Sequence, residues 1–363
     1  MHLPVVNLRP SIEATRSEWQ AQLDAMFARG QFILGEGLAT FERDYAASLR
    51  AKFAVGVANG TDAISLCLRA ERVTGETITT ALTAPFTGIA ITSAGAKIKF
   101  ADVDPETLSV DADDLGNRIT KRTAALVPVH LYGQPCRIDR IAKLGKLVIQ
   151  DACQAHGAQF HGQPLTKFSN YVTYSFYPTK NLGALGDGGA IVTNRASVNQ
   201  RLRLLRDGGR KGGQVSFEPG INSRLDEMQC CYLSAFLPHL SDWNDHRRRI
   251  AALYDEALAD CPGVRLLKRH ACSVSHLYVV RAKRRDKLRS YLAQYGIGTG
   301  IHYPVPLHLH PAFASAGQKK GSLPHAEQAC REIVSLPLWP YLPDSGALEV
   351  AERIRSFYAG GGG

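Results

Sequence analysis

Tyr174-Ser-Phe-Tyr-Pro-Thr-Lys180-Asn-Leu-Gly-Ala-Leu-Gly-Asp-Gly-Gly189 is the stretch on which the reading of this chain turns. The β-branched and aromatic run that enters it from Tyr171 predicts a strand, and the glycines after it predict a loop. Lys180 therefore stands at a strand end, where scaffolds commonly hold ligands. An amine in that place forms a Schiff base with a carbonyl once its proton is removed, and the aldehyde of pyridoxal phosphate (PLP) is the usual partner. Taken alone, the same lysine also reads as an ordinary solvated cation.

Asp151 shifts that balance. Lys146-Leu-Val-Ile-Gln-Asp151 reads as a short buried strand ending in an acid, followed by Ala-Cys-Gln154-Ala-His156-Gly157. An acid at the carboxyl end of a parallel strand points into the ligand crevice of an open α/β sheet. PLP needs such an acid, because a carboxylate beside the pyridine nitrogen keeps it protonated and makes the ring an electron sink. Gln154 can donate to the ring's phenolic oxygen without adding charge. A phosphate seat is the third requirement. Phe53 to Ala58 predicts a strand, Asn59-Gly60 a turn and Thr61 to Ala70 a helix. Thr61 then lies at a helix N-terminus that favours an anion, and Gly60 permits close backbone approach. Ser175 offers a second hydroxyl. Thr61 is equally a plain N-cap, and Ser175 equally a strand serine.

Around these residues the pattern is α/β. Ser11 caps a predicted helix ending near Gly30, and Leu38 to Arg50 reads as a second helix. Seven short strands alternate with helices: Phe53 to Ala58, Thr77 to Leu82, Lys97 to Ala101, Ala124 to Val129, Lys146 to Asp151, Tyr171 to Phe176 and Gly189 to Thr193. Such alternation predicts a large domain built on a mainly parallel seven-stranded sheet flanked by helices, spanning residues 1–240 with its N-terminal helices. Leu225 to Ala259 reads as helical and bridges to a smaller α+β domain, residues 241–363. There a strand at Val274 to Arg281, a helix at Arg284 to Tyr295 and a strand at Thr299 to His302 are expected, with a frayed tail at Gly360 to Gly363.

Composition fits an ordinary globular enzyme: 363 residues, 45% hydrophobic and 21% charged. No apolar run is long enough to span a membrane, and Met1-His-Leu-Pro-Val-Val-Asn lacks the basic start and apolar core of a signal peptide, so a cytoplasmic location is expected. The eight cysteines are scattered without metal-like spacing and are expected to be reduced and buried. The net charge is +10. Arg201-Leu-Arg203-Leu-Leu-Arg206, His246-Arg-Arg-Arg249 and Lys283-Arg-Arg285 invite a nucleic-acid reading. The first two sit in helical patterns with an apolar face and no nucleic-acid motif, so solvated or interface faces are expected, with no nucleic-acid or membrane partner. A positive field also draws in anionic nucleotides. In Ile301-His302-Tyr303-Pro304-Val-Pro306-Leu-His308-Leu-His310 the prolines break metal-ligand geometry, and no metal is expected. A rigid loop facing substrate, with His302, Tyr303 and His308 as candidate contacts, is the favoured reading.

Ordered motifs add a resemblance. Phe32-Ile-Leu-Gly35 with Phe41-Glu42, Val57 to Ala63, Pro128-Val-His-Leu-Tyr-Gly133, Asp151 to Gly157, Ser175 to Gly183, Gly186-Asp-Gly-Gly189, Gly220-Ile-Asn222-Ser-Arg224 through Gln229, His302 to His308 and Leu336-Pro337 together resemble the DegT/DnrJ/EryC1/StrS family of PLP-dependent sugar aminotransferases, fold type I, over nearly the full chain. The resemblance implies that Lys180 is the Schiff-base lysine, Asp151 the pyridine partner, Gln154 the O3′ contact, and that Gly60, Thr61 and Ser175 line the phosphate site. It further implies that Asn222, otherwise a turn residue after Pro219-Gly220, reaches the cofactor phosphate of a second protomer, making a homodimer with shared sites. The implied reaction moves an amino group from L-glutamate to a nucleotide-linked 3- or 4-keto deoxysugar through pyridoxamine phosphate. One departure stands out: the family usually places an aromatic ring, stacked on PLP, where this chain has Gly88. Three alternatives remain at this point: a same-fold sugar dehydratase, in which histidine replaces the lysine, a PLP-binding regulatory protein without turnover, and a basic nucleic-acid-binding protein.

Overall fold

The computed structural model describes residues 2–360, so of the expected tail Gly361 to Gly363 lie outside the described residues. Seven strands form the main sheet: β1 (Phe53–Val57), β2 (Glu76–Thr80), β3 (Lys97–Ala101), β4 (Thr123–Val127), β5 (Leu147–Asp151), β6 (Tyr171–Ser175) and β7 (Gly189–Thr193). Their spatial order is β1-β7-β6-β5-β4-β2-β3. β7 runs antiparallel to both its neighbours, and the remaining pairs are parallel.

Alternation along the strands sends side chains to two cores, as a period of two requires. Val55, Val57, Ile149, Tyr171 and Ile191 join one cluster, and Ala54, Val148, Val172, Tyr174 and Val192 the other. Helices cover both faces, so nearly every position of the central strands is buried. A third core lies in the C-terminal part, where β8 (Val264–Leu266), β9 (Tyr278–Ala282) and β10 (Ile333–Leu336) form an antiparallel sheet against the helices Leu240–Leu258 and Asp344–Ala359. Segments after residue 240 also enter the first core, with Phe313 against Phe100 of β3.

The elements differ from expectation where a local breaker won. Ser11 caps nothing: it lies inside a short helix, Arg9–Ala14, opened by Pro10, and a second helix, Arg16–Arg29, follows a break at Thr15 and ends on left-handed Gly30. The single bridging helix is two, Glu227–Phe236 and Leu240–Leu258, joined by a 3-10 turn containing Pro238. No strand forms at Thr299 to His302; only Gly300 makes a bridge, to Ser335, before the chain enters the proline loop. The basic clusters face internal acids: Arg203 and Arg206 both pair with buried Glu42, Arg248 with Asp245 and Arg249 with Asp344. No helix among the described residues is long and apolar enough to cross a membrane.

Candidate active site

The carboxyl ends of the central strands open into one cavity of about 880 Å³. Gly60, Thr61, Asp151, Gln154, Ser175, Lys180, His302 and Tyr303 all line it. A slightly larger cleft, about 950 Å³, lies between Ser48, His161 and Arg248 and holds none of the candidate residues.

Lys180 is placed by the turn after β6. Its main-chain N–H donates to the Tyr177 carbonyl at 2.8 Å, and Ala184 N–H returns to Phe176 at 2.7 Å. Gly183 is required here because a Cβ would meet the Pro178 carbonyl oxygen at 2.3 Å. Burial pushes the Lys180 amine below its ordinary range, against Cys153 and Asp151, which raise it. A neutral amine is the form that acts as nucleophile or base.

Asp151 ends β5 and is almost fully buried. Its Oδ2 accepts from the Thr87 hydroxyl at 2.8 Å and its Oδ1 from Cys153 N–H at 3.1 Å, which fixes the carboxylate at the cavity wall. Gln154 is held equally firmly: Oε1 accepts from Tyr132 N–H at 2.7 Å, and Nε2 donates to the Tyr303 hydroxyl at 3.1 Å. The Tyr132 hydroxyl in turn donates to the His302 carbonyl.

The anion seat lies at the start of helix Gly60–Ala70. Asn59, not Thr61, is the N-cap: its side chain accepts from Asp62 N–H at 2.8 Å. The N–H groups of Gly60 and Thr61, in the first turn, have no intrahelical partner and face an anion favourably. A Cβ on Gly60 would lie 2.8 Å from both Ser175 Cβ and Cys153 Sγ, so only glycine leaves this seat open. His156 braces the floor. The Ser175 carbonyl can only accept, so His156 Nε2 donates to it at 2.8 Å, and Nδ1 accepts from the Tyr45 hydroxyl at 2.9 Å. Burial drives this imidazole down to about 3, leaving it neutral.

Other candidates are placed elsewhere. His308 does not reach the cavity: its ring is buried against Glu327, Nε2 to Oε1 at 3.0 Å. Asn222 is exposed and lines no part of this chain's cavity, while Arg224 two positions on pairs with Asp207. Gly88 is packed under Phe313, whose ring a Cβ would meet at 2.5 Å, so no aromatic side chain fits there; exposed Phe86 lines the cavity instead. The sequence reading did not single out Thr87, Tyr132, His156 or His276, which support or line the site; of these only His156 sat inside a motif adjoining Asp151. Among the described residues no group of His, Cys, Asp and Glu is arranged to hold a metal.

The residues fit PLP: a glycine cradle at a helix N-terminus, an enclosed amine and a fixed carboxylate share one cavity. Comparison with known proteins agrees with this. Residues 13–355 match the model of the DegT/DnrJ/EryC1/StrS aminotransferase family. The chain is 41% identical to the "Pleiotropic regulatory protein" of Geobacillus stearothermophilus, covering 99% of each chain. It is 39% identical to the dTDP-3-amino-3,4,6-trideoxy-alpha-D-glucose transaminase of Streptomyces venezuelae, covering 98% of this chain and 96% of that one. The crystal structure of S. venezuelae DesV in complex with a ketimine intermediate superposes with a TM-score of 0.95 at 38% identity, covering 98% of both chains.

Proposed function

The chain belongs to the DegT/DnrJ/EryC1/StrS aminotransferase family, and from that premise we propose that it moves an amino group from an amino acid, L-glutamate, to a nucleotide-linked 3- or 4-keto deoxysugar, using PLP. The observation that carries the proposal is the convergence of Lys180, Asp151 and the Gly60 cradle on one cavity.

In this reading the Gly60 and Thr61 N–H groups and the Ser175 hydroxyl hold the phosphate, Asp151 holds the pyridine nitrogen, Gln154 the phenolic oxygen, and Phe86 covers a ring face. When bound, PLP supplies an electron sink for the carbon that loses or gains a proton. Thr87 and Cys153 N–H keep Asp151 aimed, so its charge acts at a fixed point in a dry wall. Lys180, whose amine burial pushes below its ordinary range, is the base placed to hold or move a proton at the carbon that bound PLP would activate. His302 and Tyr303 on the cavity wall contact the acceptor; His308 supports their loop from within.

We assign the active unit to a homodimer in which Asn222 serves the partner's cofactor phosphate. Its exposure away from its own cavity supports this, as do the exposed apolar side chains Phe32, Ile33 and Met228. Lys180 in place of histidine disfavours the dehydratase. A regulatory role is the second reading, favoured by the name of the G. stearothermophilus relative. Mixing the PLP-loaded protein with L-glutamate separates the two: an aminotransferase converts the cofactor's absorbance to the pyridoxamine form, and a silent binder leaves it unchanged.

A further inference from the structure

One cation behind Lys180 has no part in the scheme above. Arg247, on helix Leu240–Leu258, is 2% exposed. Its Nη1 donates to the carbonyl oxygens of His276 at 3.3 Å and Leu338 at 3.2 Å, and its Nε has no partner. Its neighbours Arg248 and Arg249 each find an aspartate, but among the described residues no carboxylate pairs with Arg247. A guanidinium removed from water without a counter-charge is costly, and such buried charges are normally paired. Burial alone pulls it down to about 9, so it remains charged at neutral pH.

This cation borders a place where an anion can sit. Arg247 lines a cavity of about 160 Å³ together with Asn7, Lys180, Asn181, Tyr232 and Trp243. Lys180 also lines the large cavity, so the two spaces lie on either side of this one residue. His276, whose carbonyl accepts from Arg247, lines the large cavity too. Its buried imidazole is held neutral first by desolvation, then by Lys180 and by Arg247, which puts both cations within electrostatic reach of one ring. The small cavity has a fraction of the large one's volume, which excludes a sugar nucleotide and suits one end of an amino acid.

We propose that Arg247 and the small cavity beside Lys180 form the subsite for a carboxylate of the amino donor, the counter-charge that the guanidinium lacks in the free protein. The inference rests on the aminotransferase reading. The donor nitrogen takes the place of the Lys180 nitrogen, so its α-carboxylate is only two bonds away, and a longer donor places its side-chain carboxylate within reach as well. A planar guanidinium binds either in a charge-assisted fork.

The test uses the PLP-loaded full chain as wild type, Arg247→Lys and Arg247→Met. The readouts are the donor concentration giving half conversion of the cofactor absorbance, and calorimetric binding of 2-oxoglutarate and, separately, of dTDP. In Arg247→Met the L-glutamate requirement should rise, and 2-oxoglutarate affinity fall, by about 30-fold, the scale of a charge-assisted hydrogen bond. The dTDP and PLP affinities should stay within about threefold, and Arg247→Lys should fall between. L-alanine tells the two carboxylates apart: it weakens in parallel if Arg247 reads the α-carboxylate and is spared if it reads the side chain. If Arg247→Met does not fold, Arg247→Lys and the wild type carry the test. In the wild type, L-glutamine or L-isoglutamine should then need about 30-fold more than L-glutamate. Unchanged donor and 2-oxoglutarate constants in a folded variant, equal loss of dTDP affinity, or indifference to both amides overturns the subsite alone. A PLP-loaded wild type that accepts no amino group from any donor overturns the aminotransferase reading and the subsite with it.

Discussion

Gly60→Ala probes the phosphate seat through one methyl group. The new Cβ would lie 2.8 Å from Ser175 Cβ and 2.8 Å from Cys153 Sγ. Carbon atoms rest comfortably at about 3.5–4.0 Å, so a shift of about 0.7 Å is demanded. Cys153 can turn its thiol aside; Ser175 Cβ is fixed to β6, whose neighbours β5 and β7 are both hydrogen-bonded to it. Overpacking of this kind costs about 1–3 kcal/mol, offset by at most about 1 kcal/mol of helix propensity. The net loss expected in the PLP-free protein is therefore about 0–3 kcal/mol, seen as a lower melting temperature. The same shift moves the helix start away from Ser175, and PLP affinity should fall at least about tenfold, which is about 1.4 kcal/mol. Gly116→Ala is the control. Its Cβ would sit 3.5 Å from Leu144 Cδ2, an ordinary contact inside helix Ala112–Asn117, and should stabilise by about 0.5–1 kcal/mol without touching PLP binding. A Gly60→Ala protein that melts with the wild type and binds PLP equally tightly refutes the reasoning.

Asp151→Asn can keep both hydrogen bonds, since its oxygen accepts from Cys153 N–H and its amide donates to Thr87; the fold should survive while turnover falls at least about 100-fold, or about 2.7 kcal/mol. Near-normal turnover would sink the pyridine assignment. Buried His156 and His130, held down to about 3 and about 4, set an acid limit. Below the unfolded value near 6.5 the unfolded chain takes protons that the folded chain refuses, so stability falls with pH, by about 1.4 kcal/mol for each histidine at pH 5.5. His156→Gln, which can serve the same two partners, should flatten part of that fall in melting temperature between pH 7 and 5; an unaltered slope counts against it. For PLP-free Lys180→Met the sign is the same, in a higher pH window. A lysine with a depressed folded pKa costs stability below its unfolded value near 10.4, most fully below the folded pKa. The variant should melt above wild type at pH 7, with the gap closing as pH rises toward 10.4; a gap that widens with pH contradicts the burial argument.

Much of the fold was legible because most strands of the main sheet are short runs rich in apolar and β-branched residues bounded by turn residues, and β3 and β7 fall on their expected limits. The misses lie where local signals compete. Pro238 cuts a helix that periodicity alone would continue, and β8, three residues long, carries too little pattern to see. At the site, Lys180, Asp151, Gln154, Gly60, Thr61 and Ser175 were readable since strand ends and a helix start carry them to a shared edge. What could not be read depends on contacts between distant segments. Gly88 looks like a missing ring until Phe313 is found against it, and His308 looks like a cavity residue until Glu327 claims it. The Asp151 clamp is likewise invisible in one dimension, because Thr87 reaches the strand end from the helix Pro85–Ser93.

The central claim is that Lys180 works in amino transfer and not in silent binding. Incubating the PLP-loaded protein with ¹⁵N-labelled L-glutamate and a panel of dTDP- and UDP-linked ketosugars, read by mass spectrometry, tests it most directly. The account predicts a sugar nucleotide carrying one ¹⁵N amine with wild type and none with Lys180→Met. A wild-type protein that binds PLP, yet leaves every label in glutamate and 2-oxoglutarate unformed, contradicts it.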